Sequence, residues 1–163
     1  NAGKSTLLNS LTASEVETAD KLFMTLDPTS RRLRFPREGE AIITDTVGFL
    51  SDLPEDLVSA FRATLEELAD ADLLLHVVDA ADPRIQARIE AVESLLERLD
   101  LGALPRVLIL NKSDLVSDVE MEHLIRRYDG VPVSATKKRG MKGLIAAAER
   151  MLGRSAMKAS ARG

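Results

Sequence analysis

Apolar positions along this chain fall into two kinds of run, and their alternation carries the architecture. Continuous apolar stretches occur in AIITD (residues 41–45), LLLHVVD (73–79) and RVLILN (106–111). Runs of that length, apolar on both faces, fit strands buried between two layers. Between them the spacing changes to three and four. Leu53, Leu57, Phe61, Leu65 and Leu68 predict an amphipathic helix, with Pro54 suited to its first turn. Ile85, Ile89, Val92, Leu96 and Leu99 predict another, and Asp82-Pro83 reads as its N-cap followed by proline at the first helical position. Ser117 and Glu120 form a capping-box pattern for a helix carrying Leu124, Ile125 and Tyr128. Residues 4–11 read as a helix opening directly from Gly3, and VPVSA (131–135) as a short last strand. The last helix carries Leu144, Ile145, Ala148 and Met151, and the small-residue tail GRSAMKASARG after it reads as frayed or linker. Strands and helices in this order imply an α/β fold with a mostly parallel sheet and helices on both faces.

Composition narrows the class of protein. At 163 residues, 45% of them hydrophobic and 29% charged, the chain suits one globular domain with a real core. A net charge of −4 argues against coating nucleic acid by bulk charge, so any RNA contact is local. The absence of cysteine leaves no disulfide framework and no thiolate metal site, which suits a cytoplasmic protein. No apolar run approaches the length of a membrane span.

Four short motifs stand at the predicted strand ends. NAGKST, residues 1–6, looks like the second half of a phosphate-binding loop, G-x-x-x-x-G-K-[ST]. In such a loop backbone N–H groups from Asn1, Ala2, Gly3, Lys4, Ser5 and Thr6 surround phosphates, Lys4 reaches them as a point charge, and the Ser5 hydroxyl binds Mg²⁺. A plain helix start is the competing reading. DTVG, residues 45–48, places Asp45 to hold Mg²⁺ through water and the Gly48 N–H to meet a γ-phosphate. In NKSD, residues 111–114, the Asp114 carboxylate accepts from N1–H and the exocyclic amine of guanine, a donor pair adenine lacks; Asn111 and Lys112 complete that motif. Ser134-Ala135 follows the last strand, where backbone N–H groups meet guanine O6. Each motif is weak alone, but all four lie in order at the carboxyl ends of strands, where open α/β sheets bind ligands.

The order N-x-G-K-S, D-x-x-G, N-K-x-D, S-A resembles the G domain of GTPases, a Ras-like P-loop fold. The stretches LFMTLDPTSRRL, DTVGFLSDLP, LVSAFRATLEEL and HVVDAADP are similar to the HflX family, ribosome-associated GTPases of the Obg-like group, from Asn1 to about Leu152. The resemblance implies a GTP-binding domain over residues 1–152, with 153–163 a tail or linker. It implies GTP hydrolysis to GDP with Mg²⁺, and a monomeric enzyme acting on the RNA and protein of the large ribosomal subunit, in splitting or rescue of stalled ribosomes. Thr25 becomes the switch threonine that closes on Mg²⁺ and the γ-phosphate, with Lys4 and Gly48 beside it in catalysis. Family members also carry a strand and a first loop glycine immediately upstream of Asn1, and that strand is expected at the centre of the sheet. A related GTPase of ribosome assembly or tRNA modification, or a scaffold that no longer hydrolyses, are the alternatives.

Other residues admit two readings. The Asn1 carbonyl can help coordinate K⁺ beside the phosphates, or Asn1 is a turn former. Phe49 stands where many signalling GTPases have a water-orienting glutamine, which implies slow unaided hydrolysis. His76 reads as a core histidine and His123 as exposed. KKRG, residues 137–140, is a solvated loop or a local RNA contact, and Asp79 either caps a turn or serves the site.

Overall fold

The computed structural model describes residues 2–15, 30–34, 40–44 and 68–160. Helix α1 (Lys4–Glu15) comes first, followed by strands β1 (Ser30–Arg34) and β2 (Glu40–Thr44), β3 (Leu74–Asp79), α2 (Ile85–Arg98) and β4 (Arg106–Asn111). A short 3-10 turn (Ser113–Leu115), α3 (Asp118–Tyr128), β5 (Val131–Pro132) and α4 (Met141–Ser160) complete the order.

Strands β3, β4 and β5 form a parallel sheet in that order, with Asp79 opposite Asn111 at its carboxyl end. Side chains alternate across it with the period of two that a pleated strand imposes. Val107 and Ile109 point to one face and pack with Leu7 and Leu11 of α1 and Met141, Leu144 and Ala147 of α4. Leu110 and Val78 point to the other face, where Ile85 and Ile89 of α2 and Met121 and Leu124 of α3 cover them. Ile109 and Leu110 are both fully buried, as expected of a central strand covered on both sides.

Strands β1 and β2 make a separate antiparallel pair, with Arg32 opposite Ile42. β2 matches the expected strand, but β1 was not expected: SRRLR has no apolar alternation, and its order comes from the ladder with β2. β5 is shorter than VPVSA suggests. Pro132 has no N–H to give, and beyond it Ser134 bridges to Arg139 instead.

Helix ends also depart from the sequence reading. α2 starts at Ile85, and Asp82 caps the preceding turn, its Oδ1 accepting from the Arg84 N–H at 2.8 Å. α4 does not stop near Met151 but runs to Ser160. Gly153, at the expected stop, disfavours a helix by only about 1 kcal/mol relative to alanine, and strong helix formers flank it. The α3 cap is as expected, with the Ser117 side chain accepting from the Glu120 N–H. The helix expected from Leu53 lies outside the described residues except at its end, where Leu68 is buried. No helix among the described residues is long and apolar enough to cross a membrane.

Candidate nucleotide-binding site

Three of the motif segments meet at the carboxyl end of β4, and one side chain joins them. Asn111 ends the strand and is 2% exposed. Its Nδ2 donates to the Ala2 carbonyl at 2.7 Å, and its Oδ1 accepts from the Ala135 N–H at 3.1 Å. A carbonyl can only accept and an N–H only donate, so the two partners fix the orientation of the amide. The turn before α1 and the turn after β5 are thereby clasped to the same strand end.

Gly3 is required there on two grounds. Its φ of +84° lies in the left-handed region that side chains avoid, and a Cβ at this position would stand 2.5 Å from Asn111 Nδ2. The Leu7 N–H donates to the Gly3 carbonyl at 2.9 Å, which starts α1 directly from this turn. Lys4, Ser5 and Thr6 form the first turn of α1, with Lys4 half-buried and Ser5 and Thr6 exposed. Backbone N–H groups and the positive end of the helix dipole at such a turn suit a phosphate. The close backbone approach that Gly3 permits fits a nucleotide phosphate group at this turn.

Past Asn111 the chain turns sharply. Lys112 takes a left-handed conformation, φ 62° and ψ 34°, and Ser113–Leu115 form one 3-10 turn. The Ser113 N–H donates to the Val133 carbonyl, holding this turn against the chain after β5. Asp114 is exposed, yet its Oδ1 accepts from the hydroxyl of fully buried Ser134 at 2.5 Å. That hydrogen bond, above all, holds the Asp114 carboxyl below the usual carboxylate range; its own backbone N–H and the nearby cations Lys137 and Arg139 act in the same direction. An ionised, acceptor-only group therefore faces outward beside the clasped loops.

Lys4, Gly3, Asn111, Lys112, Asp114, Ser134 and Ala135 thus lie on adjoining turns. Asn1, Thr25, Asp45 and Gly48, and Phe49 with them, lie outside the described residues. Among the expected Mg²⁺ ligands only Ser5 is described. His123 is exposed, as expected. His76 lies within β3, and burial followed by the charge of Arg106 lowers its pKa to about 4, so it is a neutral core histidine.

Sequence reasoning missed Ser10. It sits on the buried stripe of α1 between Leu7 and Leu11, and its hydroxyl donates to the Ala135 carbonyl at 2.7 Å. A serine on an otherwise apolar helix face is the only local signal of that contact.

A family model described as 50S ribosome-binding GTPase matches residues 1–112. GTPase HflX of Escherichia coli (strain K12) is 54% identical over 120 residues, covering 74% of this chain and 28% of the relative. GTPase HflX of Caldanaerobacter subterraneus is 49% identical over 154 residues, covering 93% of this chain and 35% of the relative. The chain therefore spans about a third of the length of these curated relatives. A solved GTP-binding protein from the archaeon Sulfolobus solfataricus, in complex with GDP, superposes with a TM-score of 0.74 at 22% identity over 94% of this chain and 50% of that one. That likeness establishes the Ras-like P-loop fold. Together with the motif order and the clasped loops, these matches show that the chain belongs to the 50S ribosome-binding GTPase family, as an HflX-type member.

Proposed function

We propose that this chain is the guanine-nucleotide-binding unit, over residues 1–152, of a cytoplasmic GTPase that acts on the large ribosomal subunit in splitting or rescuing stalled ribosomes. The observation that carries the nucleotide reading is the Asn111 clasp, which brings the Gly3 turn and the Ala135 turn onto one strand end beside an ionised Asp114. One end of that arrangement suits phosphates and the other suits a base that offers paired N–H donors. The names of the similar proteins support the ribosomal partner.

In this reading Asp114 selects guanine, with Asn111 and Lys112 shaping the pocket and the backbone of Ser134-Ala135 meeting O6. Gly3 and the first turn of α1 bind the phosphates, and Lys4 places positive charge where negative charge grows as the terminal phosphoryl group departs. Ser5, Thr25 and Asp45 would hold Mg²⁺, which supplies charge neutralisation on the phosphate oxygens. Gly48 would donate its N–H to the γ-phosphate. Phe49 cannot hydrogen-bond to an attacking water, so hydrolysis depends on help from elsewhere: K⁺ at Asn1, a ribosomal contact, or both.

Single-turnover GTP hydrolysis by the full-length protein tests this. Slow turnover is expected in sodium buffer, faster turnover in potassium at equal ionic strength, and the fastest with large ribosomal subunits. Equal competition by ATP and GTP would defeat the guanine reading, and indifference to ribosomal subunits would defeat the partner.

A further inference from the structure

Asp79 belongs to none of the nucleotide motifs, yet the structure ties it to one of them. It is the last residue of β3, opposite Asn111 in the parallel register. Its two carboxylate oxygens have separate partners. Oδ1 accepts from the Ala81 N–H at 3.0 Å, closing the turn that leaves the strand, and Oδ2 accepts from Lys112 Nζ at 2.5 Å. The side chains of Lys112 and Asp79 are 34% and 23% exposed, so the pair is partly shielded from water.

The backbone on both sides is fixed. The Ala80 N–H donates to the Asn111 carbonyl at 2.8 Å, and the Leu115 N–H to the Lys112 carbonyl at 2.9 Å. Between these two anchors Lys112 holds a left-handed conformation that non-glycine residues rarely adopt. The strained turn sets where the lysine stem departs, and Asp79 sets where its ammonium ends. A free lysine side chain has many rotamers, and a ligand that packs on it must first freeze them.

We propose that Asp79 is a positioning residue for nucleotide binding: it presets the Lys112 side chain beside Asp114, so that the base meets an ordered pocket wall. The proposal rests on residues 111–114 being the base-binding segment. Its effect falls on the base end of the site, and GTP and GDP feel it alike.

The test is titration of the full-length protein with fluorescent GDP and GTP, using wild type, Asp79→Asn, Lys112→Met and the double variant. Asp79→Asn keeps an acceptor for the Ala81 N–H but loses the charge facing Lys112. It is expected to melt close to wild type and to weaken GDP and GTP by the same factor, about tenfold, the scale of one charge-assisted hydrogen bond. In steady state the loss falls on KM. With Met at position 112, adding Asp79→Asn changes affinity by less than about twofold, because the two residues act as one unit. Asp79→Ser, a smaller uncharged acceptor, gives the same pattern and serves if the asparagine variant folds poorly. Unchanged or tighter binding in Asp79→Asn, or an equal loss with and without Lys112, would overturn the proposal. Failure of wild type to prefer guanine over adenine nucleotides would instead strike the reading it rests on.

Discussion

Ser134 donates its hydroxyl hydrogen to Asp114 across 2.5 Å, although Ser134 is fully buried and Asp114 is exposed. An outward carboxylate is thus held from within the protein by a side chain that cannot itself reach solvent.

Ser134→Ala should release that hold. GDP affinity is expected to fall about three- to tenfold, the loss of one hydrogen bond to a charged acceptor. The pH response should move as well. Ser134 lowers the Asp114 pKa, so the wild-type carboxylate stays ionised further into acid. In the alanine variant binding should fail at a higher pH on acidification. GDP titrations between neutral pH and pH 4 check this, and identical acid limbs would contradict the assigned cause.

Asp114→Asn exchanges an acceptor pair for a donor and an acceptor. GTP binding is expected to weaken by roughly a hundredfold or more, as in sites left with unpaired polar groups. Xanthosine triphosphate, which presents a second carbonyl, should bind better than it does to wild type. Competition against fluorescent GDP measures both, and a variant that still prefers guanine would remove Asp114 from base selection.

Gly3→Ala forces a side chain into a left-handed turn and against the Asn111 amide. A loss of stability of about 1–3 kcal/mol is expected, together with loss of nucleotide binding. Urea unfolding and GDP titration read the two effects. Because the φ of +84° remains, shortening Asn111 as well should not restore binding.

His76 predicts an acid limb in stability. Its folded pKa, about 4, is below the value near 6.5 it takes when unfolded, so folding favours the neutral ring. The corresponding stability is complete above about pH 6.5 and is lost as pH falls from there toward 4. Linkage sets the loss between pH 7 and pH 5 at about 2 kcal/mol. In His76→Leu the stability between these two pH values should vary less, as judged by urea midpoints.

Strands β3 and β4 could be read from the sequence because each is covered on both faces, which leaves a continuous apolar run. β1 could not, since its order comes from a partner strand and not from its own pattern. That Gly3, Asn111, Lys112, Asp114, Ser134 and Ala135 would gather on adjoining turns was legible because motifs for phosphate and base chemistry restrict which residue types stand at strand ends. Ser10 and Asp79 were not resolved that way. Each acts through a partner distant in sequence, 125 positions away for Ser10 and 33 for Asp79, and no local periodicity encodes such a pairing.

The Ser10 hydrogen bond has a consequence for how the protein is made. Its acceptor emerges from the ribosome 125 residues after its donor, and the bond from Asn111 to Ala2 spans 109. At about 5–20 residues per second, the turn before α1 waits roughly 6–25 seconds before Ala135 has been synthesised. Throughout that interval the apolar stripe of Leu7 and Leu11 lacks α4, and until Asn111 has been made it lacks β4 as well. Closing so long a loop is also intrinsically slow. The clasp at Asn111 and the Ser10 bond therefore cannot form until most of the chain has been made, and until then the first helix has to persist without them.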